Sequence, residues 1–366
     1  MTYFRLLLKL ILVPSAAMLL PAQEARLRLA DEWRLPAPTD GNSAVVWHGG
    51  RLVVFTSNGA TPKVSYAGAT GEEWETHEIR FTNLQHKTVW FEGAWVDPSG
   101  AILAWYHHEP WGMYEDSLLT APSIGAAISE DGGRTFSDLG FILTSGDPLD
   151  DDAQNGYFTG GHGDFSVILD RERKFFYFLF TNYGGPTRRQ GIVMARLAYE
   201  DRFEPSEKVR KYFEGEWEEP GLGGRATPVL PAGRPWRSKE PDSFWGPSVH
   251  WNTHLRRYVV LLNRTSGGPG WAQDGIYVAY ARDLSDPASW TKPQKLLDVE
   301  DMPGPTEFYP QVIGLDREGS DTLAGRVARF FLHGVSKWEI EFRFTTPPTE
   351  IDSMKPSPSD PATPQK

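Results

Sequence analysis

The sequence predicts an all-β fold, a five-bladed β-propeller of four-stranded antiparallel blades. Three observations lead there. Five segments repeat one plan of apolar strand, polar turn and stronger apolar strand; second hairpins follow several of them; and no long stretch carries the periodicity of an amphipathic helix. The five segments are 43–57, 92–109, 164–183, 247–265 and 310–334, and their turns hold the Gly, Pro, Asp and Asn residues that reverse antiparallel strands. Second units are clear at 64–74, 124–136 and 276–290. The third keeps its strand, 191–200, and then departs into an acidic stretch ending near Trp217. Hairpin plus hairpin makes a blade. The fifth blade is short of a strand, and 26–35 is placed to supply it and close the ring.

Within 124–136 the run Ser129, Asp131, Gly133, Thr135 and Phe136 matches the Asp-box pattern at each defined position. Its chemistry is that of a turn: Ser and Asp side chains bond the backbone, Gly supplies positive φ, and the aromatic packs between blades. It speaks for the fold and not for a reaction.

The predicted domain runs over 26–344, flanked by two segments of other character. Residues 1–22 join Arg5 and Lys9 to a short apolar run and small residues, the pattern of a secretory signal peptide, with a retained N-terminal anchor as the alternative. Residues 345–366 are rich in Pro, Ser, Thr and Asp, with too little apolar surface to offset chain entropy, and are predicted to be a disordered tail. The chain is therefore expected to be exported, periplasmic or extracellular, with no membrane span once the signal is removed. The absence of Cys excludes disulfides, thiolate metal sites and Cys nucleophiles.

The formal net charge is −11, and losing the two cations of the leader leaves −13. A chain this acidic, with no basic stripe, reads as a poor partner for nucleic acid or anionic lipid. An uncharged ligand fits better. The 14 Trp and 13 Tyr suit carbohydrate, because aromatic faces pack on the C–H faces of pyranose rings, although most of these rings must simply fill a β core.

In a propeller every inner strand begins at the same mouth of the central channel, so carboxylates there converge. Asp40, Glu92, Asp164, Asp242 and Glu307 hold such positions, one per blade. Hydrolysis of a glycosidic bond needs a proton donor and a carboxylate that activates water or attacks carbon, and crowded carboxylates raise the donor's pKa. The segment 105–111 adds Trp105, His107, His108, Glu109 and Trp111; in an extended chain His107 and Glu109 face one way and His108 the other. We read it as a sugar subsite, with His107 as hydroxyl partner and Glu109 as a possible acid. Residues 160–164, which include His162, form a glycine-rich approach to Asp164 that fits neither a dinucleotide nor a P-loop pattern. Asp147 and 150–152 form an acidic loop without calcium-hand spacing.

The blade rhythm, the Asp residues opening the first and third blades, and the phrase at 278–297 resemble the five-bladed propeller glycoside hydrolases of the arabinanase and β-xylosidase type, over residues 40–344. The resemblance implies a general base at Asp40, next to Asn42 and Trp47, and a pKa-tuning Asp at Asp164. It also implies a general acid, a Glu just before Gly246-Pro247, where this chain has Trp245. Asp242 and Glu240 are the nearest replacements, with Glu109, Glu307 and Glu92 behind them. Substrate contacts are expected from Asn42, Trp47, Trp105, His107, His108, His162, Trp245 and Tyr309. No cofactor is expected, although a channel calcium at His162 or His107, as in some relatives, stays open.

Two other functions remain open. One is a glycan-binding propeller that has lost the acid. The other is a sialidase-like hydrolase, which would need an arginine clamp, for which Arg188 and Arg189 are available, and a Tyr nucleophile such as Tyr309.

Overall fold

The computed structural model describes residues 22–345 except 69–72, 87, 116, 269–270 and 305–306. The leader and the tail therefore lie outside the described residues, apart from Ala22 and Thr345 at their edges. The chain is an all-β five-bladed propeller, and its helical content among the described residues is four 3-10 turns. The inner strands of blades 1 to 5 are Val45–His48, Val89–Val96, His162–Leu169, Asp242–Asn252 and Gln311–Gly314.

Blade 1 is a plain four-stranded meander. The acidic stretch of the third unit forms a further hairpin, Arg210–Phe213 with Glu216–Pro220, so blade 3 carries more strands than expected. Blades 2 and 4 each gain a short parallel strand: Arg80–Phe81 from the link between blades 1 and 2, and Leu323–Ala324 from the segment between the strands Gln311–Gly314 and Val327–Leu332 of blade 5. Ala22–Arg34 pairs antiparallel with Val335–Thr345 and completes blade 5, which velcros the two ends of the ring together. That strand begins earlier than the segment 26–35.

The apolar strands alternate their side chains between the two neighbouring blades. Along Ile102–His108, Leu103 and Trp105 join the core between blades 2 and 3, while Ile102, Ala104 and Tyr106 join the core between blades 1 and 2. Comparable cores lie between blades 3 and 4 and between 4 and 5. The seam between blades 5 and 1 is thinner, built on Leu35, Val45, Val54, Ile313 and Phe331. Polar bonds reinforce it: the Gln311 side chain accepts from the Ser43 N–H at 2.7 Å and donates to the Ser43 carbonyl at 3.0 Å, and Asp321 accepts from Val45 N–H.

The turn at 129–136 is bonded as its residue types require. Ser129 Oγ accepts from Gly133 N–H, Asp131 Oδ1 accepts from Arg134 and Thr135 N–H, and Phe136 is fully buried against Phe91 and Phe55.

Candidate functional site

The inner strands start at one end of the ring, and a pocket of about 460 Å³ opens there. Its wall takes Asp40 from blade 1, Trp90, His107 and Glu109 from blade 2, Asp164 from blade 3, Trp245 from blade 4 and Tyr309 from the approach to blade 5. The convergence follows from pairing defects. In blade 2 Phe91 pairs with Tyr106 and Gly93 with Trp105, skipping Glu92; in blade 3 Gly163 pairs with Thr181 and Phe165 with Phe180, skipping Asp164. A bulge re-aims the skipped side chain, here toward the channel. Asp164 takes φ 40°, and Tyr309 and Trp271 take φ 58° and 60°, left-handed conformations held in place by the surrounding packing. Gly41 lets the chain beside Asp40 pass over this bulge, since a Cβ there would lie 2.8 Å from Glu92 Oε1.

At the centre is a buried acid–imidazole chain. His107 Nδ1 lies 2.9 Å from Glu92 Oε1 and its Nε2 3.4 Å from Glu109 Oε1. Burial opposes charge on the imidazole, but the Glu92 and Glu109 carboxylates outweigh it and hold His107 well above its ordinary pKa. Glu92 Oε2 accepts the Phe165 N–H at 2.6 Å. Asp164 is buried, with its carboxyl pushed up to about 7 by desolvation and then by Glu92, against the opposing pull of His107 and the hydrogen bond donated by Tyr183. Asp40 is open to the pocket yet crowded by protein; desolvation raises its pKa, assisted by Glu109 and opposed by His333 and His107. Burial and the nearby acids hold the Tyr309 phenol far above its usual pKa, so it stays protonated as a donor.

Around these groups stand aromatic rings. Trp245 packs edge-on against Trp271, Phe308 and Tyr309 with centroids 4.9 to 5.6 Å apart, and Trp90 stacks on His107 at 4.7 Å. Trp111 stands at the mouth, 72% exposed. The indole N–H of Trp245 is buried without an acceptor among the described residues. Among the described residues, no Lys or Arg lines the pocket.

Of the candidate residues, Asp40, Asp164, Glu109, His107, Trp245 and Tyr309 meet in this pocket. The others lie elsewhere. Asp242 pairs with Arg264 at 3.2 Å, and Glu240 is half exposed, 3.7 Å from Arg234. Glu307 turns to another face beside Arg34 and Lys337, because Phe308 and Tyr309 fill the wall in its place. Asn42 ties three blades by donating to the Phe165 and Pro247 carbonyls. Trp47, at the far end of its strand, donates to the Gly319 carbonyl. Trp105 belongs to the strand and not to a loop, and is buried between Phe176 and Phe178. His108 faces away, its Nδ1 3.0 Å from the Thr88 carbonyl and its ring against His86. His162 is buried outside the pocket lining, against Phe180.

Alternation explains these placements: one residue's shift along a strand exchanges channel for core. Glu92, expected among the strand-start carboxylates and as a reserve acid, is brought to the centre by the bulge that its Gly93 neighbour marks. The wall residues Trp90, Trp271, Phe308 and Tyr157 were missed; they come from loops and strand ends without a repeating position.

The donor sets near the channel do not make a calcium site. His162 has its Nδ1 3.1 Å from the Gly161 carbonyl, and burial and then the Lys211 charge drive its pKa well below normal; that Lys211 charge opposes a cation beside the ring. Glu92, His107 and Asp164 offer atoms within 4.8 Å of one another. Two carboxylates, each already engaged by a protein donor, and one nitrogen are a poor match for the six to eight oxygens calcium takes. The acids at 150–152 lie apart from the pocket, Asp150 beside Arg237 at 3.3 Å.

No family profile and no curated protein matches the chain. Among solved structures it is similar to a thermostable family-43 glycoside hydrolase, with 12% identity over 91% of this chain and 99% of that one, at a TM-score of 0.50. Exo-β-1,3-galactanases from Phanerochaete chrysosporium, solved with β-1,3-galactotriose, and from Clostridium thermocellum match at 11% and 12% identity and TM-scores of 0.48 and 0.47. Each match covers 87% of this chain but 64% of the galactanase, so the chain spans less than two thirds of their length. At such identities what is shared is the backbone architecture: this chain has the five-bladed propeller fold of the family-43 glycoside hydrolase.

Proposed function

We propose that the protein is a glycoside hydrolase acting in the central pocket on a glycan that carries no anionic group, and that the chain is exported to reach it. The carrying observation is that Asp40, Glu109 and Asp164 converge on one aromatic pocket in which burial raises two of the three carboxyls. Asp164, pushed up to about 7, is the carboxyl that retains a proton near neutrality and is our choice of general acid; Tyr183 donates to its other oxygen. Asp40 is the ionised partner that activates water or attacks the anomeric carbon. Glu109, Tyr309 and the unpaired Trp245 N–H bind sugar hydroxyls. A pocket wall without Lys or Arg among the described residues disfavours acidic sugars, and with them the sialidase-like reading: Arg189 is committed to Asp147, and Tyr309 is held as a protonated phenol.

The test is hydrolysis of aryl glycosides with good and poor leaving groups. Asp40→Asn should abolish turnover on both. Asp164→Asn should lose the poor leaving group by about 10²-fold or more and keep much of the activated one; if Glu109→Gln shows that pattern in its place, the acid is Glu109. Wild-type rates in Asp40→Asn would end the proposal. A second reading, glycan binding without hydrolysis, is favoured by Trp245 standing where the resemblance implies an acid. It predicts sugar binding by the wild type with no turnover of any glycoside.

A further inference from the structure

The opposite end of the ring carries chemistry that the pocket does not use. Inner strands run from the pocket to that end, so the turns that follow them gather there, roughly 25 Å away by strand rise. A groove of about 800 Å³ lies on this face, lined by Arg171 from the blade 3 turn, Arg256 and Arg257 from the blade 4 turn, and by Trp251 and Phe344. Arg282 joins Arg171 and Trp251 along the adjoining cleft.

None of these four arginines has a carboxylate partner among the described residues, although the chain is acidic overall. They also crowd one another: burial and then Arg282 and Arg256 lower the pKa of Arg257. The acids nearby are engaged locally. Asp170 accepts the Lys174 and Phe175 N–H groups of its own turn, Glu172 lies 2.6 Å from Lys174, and Asp283 accepts from Ser285 N–H. Phe344 is 45% exposed beside the arginines, and Arg171 lies over the Trp251 ring at 5.5 Å. The described chain also enters at Ala22 and leaves at Thr345 on this face, where these two residues pair. The apolar segment 1–21 thus joins the fold beside the arginines.

We propose that this face docks on an anionic phospholipid surface and holds the pocket outward, toward the medium. Guanidinium groups recognise lipid phosphates, and aromatic rings at the rim suit the interfacial layer. The acidic composition suggested the contrary because the arginines are dispersed in sequence, and folding alone collects them. The docking is independent of the hydrolysis proposed above.

The test is sedimentation of the purified full chain with vesicles of phosphatidylcholine alone or with about one-third phosphatidylglycerol. Any insertion by residues 1–21 adds to both, so the difference isolates the arginine face. Wild type should bind the anionic vesicles at least about 10²-fold better and be released by roughly half-molar salt. Combined Arg171→Gln, Arg256→Gln and Arg257→Gln should reduce the preference by roughly fivefold per arginine, about 10²-fold together, with glycosidase activity unchanged; Arg256→Gln alone should show one such step if the combined variant folds poorly. Equal wild-type binding to both vesicles, a preference that survives the substitutions, or retention by soluble heparin without vesicle binding would each overturn the proposal.

Discussion

Glu92 Oε2 accepts the Phe165 N–H at 2.6 Å, so a carboxylate of blade 2 pins the backbone of blade 3 one residue beyond Asp164. The same carboxylate faces His107 through its other oxygen. Positioning of Asp164 and charging of the imidazole are thereby coupled through one fully buried side chain.

Glu92→Gln removes the negative charge from this junction while keeping its size. His107 would then keep Glu109 and the neighbouring Asp164 as its nearby acids, and a buried ion pair that loses one member costs about 3–5 kcal/mol. We expect a loss of that order in urea unfolding at pH 7, together with a fall in the His107 pKa followed by NMR. An unchanged His107 titration would show that Glu92 does not set its charge.

Stability should depend on pH through Asp164. Its folded pKa lies near 7, above the ordinary carboxyl value of 3.8, so between those values the folded state holds a proton that the unfolded chain has lost. Stability contributed by this group therefore falls as pH rises from about 4 to about 7. Asp164→Asn removes the slope. The difference in unfolding free energy, variant minus wild type, should grow across that window by a few kcal/mol and level off above it; a flat difference would contradict the raised pKa.

Trp111 stands at the pocket mouth with most of its surface free. Trp111→Ala should leave the melting temperature within about a degree of wild type while weakening oligosaccharide binding roughly fivefold, the worth of one aromatic platform. Calorimetric titration with the substrate found in the aryl-glycoside and polysaccharide screen checks it. Trp245→Ala, by contrast, should lose about 3–5 kcal/mol of stability because it empties the aromatic cluster.

The seam between blades 5 and 1 closes the ring with the smallest of the inter-blade cores. Gln311→Leu strands both the N–H and the carbonyl of Ser43 in a buried site. A cost of about 2–4 kcal/mol is expected, read as a lower urea midpoint. Removal of 22–34 should be more severe, because the outer strand of blade 5 is then lost and the ring has no closure.

The blades were legible because strand periodicity and turn residues are local: 43–57 or 164–183 needs no other segment to be recognised as a hairpin. Asp40 and Asp164 were legible as convergent acids because a propeller brings strand starts together. Trp105 and Asn42 misled, since both sit next to site positions in sequence while alternation and bulges carry their side chains into blade contacts. Asp242 failed for a related reason: it begins the right strand, but at its outer lip, where Arg264 is closer than the channel.

What the residue order determined by itself was the number of blades, their antiparallel build and the presence of acids at the strand starts, all of them periodic properties read within a few residues. The tertiary structure alone decided which acids share a pocket and which arginines share the opposite face. Those groupings depend on single-residue register shifts, such as the ones at Glu92 and Asp164, and on distances between segments far apart in the chain, and local pattern encodes neither.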